Sequence, residues 1–188
     1  MKGTVEILKG ERILILIVLM TFLLGIISGY ASYEQSKEEM VPVLKDMVRR
    51  LLTESKSQTA FNIFMNNLTA TIMFLILGVT VILPLLIVFS NGYLFGFILK
   101  MMDIQGLGWF EFLKATVPHA VFELPAFFLA AIIGMRIGTG VIVAKGKRKK
   151  EFTRRSREGI FIFLTVVVPL LILAAFVEAF ITFELVLG

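Results

Sequence analysis

No cysteine occurs in the chain, which excludes disulfides, thiolate metal sites and cysteine nucleophiles. Histidine occurs once, as His119, so a histidine-rich catalytic metal centre is excluded as well. There is no GxSxG, HExxH, Walker or Rossmann pattern. Any metal here must be held by oxygen ligands and one imidazole. Charge is also scarce: 18% of residues are charged against 57% hydrophobic, and 18 of the 188 residues are Phe. With a mean hydropathy of +0.90, too little polar surface remains to cover a water-soluble body. The expected fold class is therefore all-α, a polytopic membrane helical bundle forming a single domain over residues 1–188. A span needs roughly 20 apolar residues, so this length holds about five spans and loops but no separate soluble catalytic domain.

The apolar runs place the elements. Ile13 to Tyr30 is almost uncharged and follows Lys2, Lys9 and Arg12. It is longer than the apolar core of a usual signal peptide and no small-x-small cleavage site follows, so it reads as a retained first helix. From Ala31 to Asn67 the chain carries five basic and five acidic residues. Met40, Val41, Leu44, Met47, Val48, Leu51 and Leu52 nevertheless recur at helical spacing, with Pro42 suited to a first turn. The spacing predicts an amphipathic helix over about 38–56, lying on the membrane surface or across the bundle, with a partner-docking helix as the sharper alternative. The remaining spans are expected at 68–89, 91–103, 112–136 and 159–187. Ser90-Asn91-Gly92 serves as the turn between the second and third. The third is short, and by length it either spans or re-enters.

Lys145 to Arg157 holds eight basic residues and one acid, which assigns it to the cytoplasm as a basic loop. The net basic N-terminus belongs on the same side, so an even number of crossings separates the two. Five crossings follow, with the N-terminus cytoplasmic and the C-terminus external in a cell membrane. The basic run attracts anionic lipid heads and, without interleaved aromatics, is not a nucleic-acid surface. Small-xxx-small spacings occur at Gly25 and Gly29, Gly92 and Gly96, and Gly134 and Gly138. They serve tight packing within one chain or the seam of a homodimer, the oligomer favoured here.

Ionisable residues inside apolar helices are costly and mark candidate sites. Here they are His119, Glu123, Arg136, Glu178 and Glu184, with Asn66, Asn67 and Asn91 as uncharged companions. His119 and Glu123 are four apart and share a helix face. They lie between Pro118 and Pro125, and Pro125 frees the carbonyl of Val121. Counted from Phe110 and from Leu187, His119 and Glu178 each lie roughly 14 Å from the same membrane face. One imidazole and two carboxylates are competent ligands for a divalent ion such as zinc. The same residues also suit a hydrogen-bonded tie between helices, or a proton or ion path. Arg136 is placed to snorkel toward the cytoplasm, and Glu184 to be solvated at the outer interface.

Three segments carry a resemblance. Asn91-Gly92-Tyr93-Leu94-Phe95-Gly96, Pro118-His119-Ala120-Val121-Phe122-Glu123-Leu124-Pro125-Ala126 and Phe176-Val177-Glu178-Ala179-Phe180 together resemble the stage II sporulation protein M family. The resemblance runs from about Phe61 to the end. Where the family usually has Gly after the His, this chain has Ala120. What the resemblance implies is a five-helix integral membrane fold and weight on Asn91, His119, Glu123 and Glu178. The family's namesake is a membrane anchor in the complex that drives engulfment in spore formers. Three functions are expected to compete. The preferred one is a non-enzymatic membrane scaffold or assembly factor with a protein partner at the external segment Ser36 to Asn67. The alternatives are a transporter or channel for a small solute or ion, and an intramembrane metal-dependent hydrolase.

Overall fold

The computed structural model describes residues 4–143 and 146–182. Within them the protein is all-α, and five helices are long and apolar enough to cross a membrane. A short α1 (Thr4–Lys9) leads into α2 (Arg12–Ala31), the first span. Its boundaries follow the uninterrupted apolar run almost to the residue.

After Ser32 the chain forms α3 (Tyr33–Leu51), the amphipathic helix. It begins five residues earlier than the expected 38, which puts Pro42 in its interior instead of its first turn. Val41, Leu44, Lys45, Val48 and Arg49 line a groove with Met101 and Gln105 from the end of the third span. The helix therefore crosses over that end of the bundle. Ser32 and Ser36 secure its start through hydrogen bonds with the Tyr93 hydroxyl at 2.7 and 2.8 Å.

The second and third spans differ from the expected 68–89 and 91–103. They are α4 (Lys56–Leu77), extended by a 3₁₀ turn Gly78–Thr80, and α5 (Ile82–Ile104). The break falls at Val81, whose φ of 61° lies in the left-handed region. The Thr80 hydroxyl accepts the Leu83 N–H at 3.2 Å and so caps α5. Pro84 then occupies the first turn, where its missing N–H leaves nothing unpaired. Ser90-Asn91-Gly92 makes no turn because the Asn91 amide donates to its own helix, at the Ile87 carbonyl, at 2.9 Å. The third span is thus a full-length helix of 23 residues.

α6 (Gly108–Val143) is 36 residues long and runs unbroken through Pro118 and Pro125, exceeding the expected 112–136 at both ends. The last span begins inside the basic segment. α7 (Arg148–Ile162) passes through a π turn Phe163–Val167 into α8 (Val168–Val177) and ends in a second π turn, Glu178–Thr182. What was expected as a basic loop over 145–157 is helical from Arg148. Arg154 and Arg155 pair with Glu151 at i,i+3 and i,i+4 spacing there and favour the helix. Lys2, Lys145, Glu184 and the expected end of the last span at 187 lie outside the described residues.

All three glycine pairs pack inside this one chain, the first of the two readings of their spacing. A methyl group at Gly25 or Gly29 would meet the backbone of Phe89 or Tyr93, and one at Gly92 or Gly96 the backbone of Phe22 or Ile26. α2 and α5 therefore lie in backbone contact and run in the same direction. Gly134 and Gly138 approach Phe74 and Gly78 in the same manner, joining α4 to α6. Such spacing lets backbones approach closely in a solvent that offers no hydrophobic drive between helices. The core of the bundle is the segment of α6 from Ala126 to Gly138, buried at every position but Phe128.

A candidate metal centre between four helices

α6 places His119 and Glu123 one turn apart on one face. The last helix brings Glu178 to them at the first residue of its terminal π turn. One ligand atom from each of the three lies within 4.8 Å of the others, and all three side chains are half-buried. Among the described residues no other group of His, Asp or Glu side chains converges in this way. The extra residue of a π turn displaces a side chain from regular helical register, and such turns recur at functional sites.

Two further helices reach the cluster. Asn67 of α4 lies beside the Glu123 carboxyl, close enough to interact with it. Asn91 of α5 lines a cavity of about 120 Å³ together with His119, Glu123, Phe22, Phe95, Ala120, Leu124 and Phe127. Polar groups and aromatic rings thus share its lining. Phe22 packs on Phe95 and Phe128 at centroid distances of 6.0 and 5.0 Å, and Phe127 on Phe74 at 4.6 Å. A second and wholly apolar groove, of about 250 Å³, adjoins it along α5 and α6 and shares Phe95, Ala120 and Leu124 with it. Leu113, Val117 and Val121 of that groove are exposed on the lipid-facing side of α6.

The donor set fits a divalent cation. Zinc at about 2.0–2.2 Å from each of three ligands holds them within about 3.5 Å of one another, so the observed spacing requires only a small closure of the side chains. Two ionised carboxylates side by side in an apolar bundle repel each other and lose hydration. A divalent ion with a neutral imidazole makes the whole set neutral. The cavity leaves room for water beside the ligands.

The other candidates fall elsewhere. Asn66 is exposed and donates only to Asn67, at 3.3 Å, so Asn67 and not Asn66 is the α4 member of the cluster. Arg136 does not snorkel. Its side chain is only 8% exposed, and it pairs with Glu11 at 3.0 Å and Glu158 at 2.6 Å. Arg155 also donates to the Arg136 carbonyl, at 2.7 Å. Glu11 and Glu158 were not singled out from the sequence. They sit at the polar margins of two apolar runs, where a carboxylate ordinarily faces water. The only signal available was that an arginine so deep in an apolar helix requires acidic partners.

The comparisons with known proteins agree with this architecture. The family model described as Stage II sporulation protein M matches residues 17–183. An uncharacterized protein of Methanocaldococcus jannaschii is 28% identical over 138 residues, which is 71% of this chain but only 60% of that protein's own length. A second uncharacterized protein of the same organism is 24% identical over 173 residues, covering 91% of this chain and 94% of the relative. No solved structure matches.

Proposed function

The chain belongs to the stage II sporulation protein M family, and from that premise we propose that it is a membrane scaffold or assembly factor whose bundle is tied by a divalent cation at His119, Glu123 and Glu178. The observation that carries this reading is the convergence of α4, α5, α6 and the last helix on one small polar cluster. The cluster's own cavity is too small for an organic solute of ordinary size. Toward the Val143 end the interior is filled by the packed segment Ala126–Gly138, which argues against an open transport path. Zinc is the ion the ligand chemistry fits best. The N-terminus and the α6–α7 connection face the cytoplasm, with α3 on the opposite side, by the distribution of basic residues. Val43, Met47 and Val48 are exposed on α3 and form the surface offered to a protein partner at the lipid interface.

The test is the unfolding temperature of the purified protein with zinc and with a chelator. A cation tie requires a lower midpoint after chelation in the wild type and no response in Glu178→Gln. Identical midpoints with zinc and with chelator would remove the cation from the account.

The apolar groove beside the cluster favours one second reading, an intramembrane hydrolase acting on a lipid or a membrane-embedded peptide. It offers a lateral approach from the bilayer to His119 and Glu123. A zinc ion there would supply Lewis-acid activation of water. In that role Asn67 holds the Glu123 carboxyl in place, and the rings of Phe22, Phe95 and Phe127 limit access of bulk water. Turnover of a labelled lipid or peptide by the wild type, absent in Glu123→Gln, would move this reading ahead of the scaffold.

A further inference from the structure

The cations at the start of the last helix are divided by the fold into two sets. On the side of α7 that packs on α6, Glu151 accepts from Arg154 and Arg155, and Glu158 bridges Arg154 to Arg136. That set is neutralised internally. Lys147, Lys150, Arg154 and Arg157 recur at the i, i+3, i+4 spacing of a single helical stripe and, with Lys149, Thr153 and Glu158, line a cavity of about 890 Å³, the paired Arg154 and Glu158 standing at its edge. The turn at Gly146, with φ of 79°, begins this stripe by delivering Lys147 to it. Among the described residues Lys147, Lys150 and Arg157 have no carboxylate partner. They surround one concavity whose single carboxylate, Glu158, is already taken by Arg136 and Arg154, on a helix that these ion pairs tie to α6.

The surroundings identify what this concavity meets. Phe152, Ile160 and Phe161 on α7 and Ile142 at the end of α6 are exposed apolar side chains. Ile160 lies one turn beyond Arg157, so hydrocarbon begins where the cationic stripe ends. A group bound there sits at headgroup depth, and complementary charge makes it a phosphate.

We propose that the Lys147, Lys150 and Arg157 stripe of α7 is a binding site for the phosphodiester headgroup of an anionic phospholipid. Thr153 adds a hydroxyl between the cations, and Arg154, already held by two carboxylates, presents its remaining donor capacity at the rim. The site is independent of the His119 cluster, which lies toward the other end of α6.

The proposal is tested by native mass spectrometry of the full chain released from nanodiscs containing phosphatidylglycerol and phosphatidylcholine in equal amounts. The wild type is expected to retain phosphatidylglycerol in preference. Lys147→Gln/Lys150→Gln/Arg157→Gln is expected to lose that preference by roughly tenfold or more, at about one interaction per cation. A control with the same charge removed from the same end, Lys9→Gln/Arg12→Gln/Arg148→Gln, is expected to keep it. Circular dichroism of both triple variants checks that the helices are intact. Equal loss in the two variants would reduce the site to diffuse surface charge and overturn the proposal. So would equal retention of the two lipids by the wild type. Displacement of the lipid by excess inorganic phosphate would assign the site to a soluble phosphate and overturn the lipid.

Discussion

α6 carries two ionisable sites about 25 Å apart along one helix, and they are built in opposite ways. At Arg136 a cation lies between two carboxylates, Glu11 and Glu158, each within ion-pair distance. At His119 two carboxylates and an imidazole face each other across at most 4.8 Å, beside a cavity. The first is packed and internally compensated. The second has two carboxyl groups close together beside open space. Cost alone does not distinguish them, because ionisable groups are expensive in any apolar helix. Charge balance does. A compensated group holds helices together with what the chain already contains, whereas two carboxyl groups beside an imidazole and open space offer, on the proposed reading, a place for a cation from outside.

The largest effect that would break this comparison is expected at Arg136. Arg136→Met leaves Glu11 without its cation and Glu158 with Arg154 alone. It should destabilise the bundle by about 3–5 kcal/mol, as removal of one partner from a buried ion pair does. Unfolding in mild detergent followed by circular dichroism measures it, and a loss below 1 kcal/mol would show the site to be solvated. Next in size is the α2–α5 contact. Gly29→Val places branched methyl groups on the Tyr93 carbonyl and should lose about 1–3 kcal/mol or more by overpacking. An unchanged midpoint for Gly29→Val would show that the two helices do not meet there.

Glu178→Gln is expected to act differently from Arg136→Met. It relieves carboxylate repulsion, so the metal-free protein should keep or gain stability while losing its response to zinc. A large loss of metal-free stability would put Glu178 in the same class as Arg136. The smallest effect is expected at Arg154, whose side chain is 43% exposed. Arg154→Gln should change stability by at most about 1 kcal/mol, since exposed ion pairs contribute little.

How far these sites could be read from the sequence depended on the range of the forces that build them. α2 was legible because hydropathy is local: an unbroken apolar run from Ile13 to Tyr30 has one outcome in a bilayer. The amphipathic α3 and the number of spans followed from similar patterns. The α4–α5 boundary was not legible, since the chain stays apolar from Leu68 to Met102 and hydropathy is flat across the break. The Asn91-Gly92 signal describes chains in water. Inside a bundle Asn91 satisfies its amide on the Ile87 carbonyl, and Gly92 serves for close approach to Phe22. Thr80 followed by Pro84 was the informative cap, hidden among apolar neighbours.

The candidate site divides along the same line. His119 and Glu123 share a face by spacing alone, and counting turns brought Glu178 to similar depth. Asn67 and Asn66 are adjacent in sequence, and only the rotation of α4 decides that Asn67 meets Glu123. The partners of Arg136 lie 125 and 22 residues away, and no local pattern links them.

The central claim is that the half-buried cluster on α6 is completed by a cation. The direct measurement is metal analysis by mass spectrometry of protein purified without chelators, beside His119→Ala, Glu123→Gln and Glu178→Gln. The account predicts about one zinc per chain in the wild type and none in the three variants, with Arg154→Gln retaining the metal. Wild-type protein without metal, or variants that retain it in full, would contradict the claim and leave the cluster as a hydrogen-bonded tie between helices.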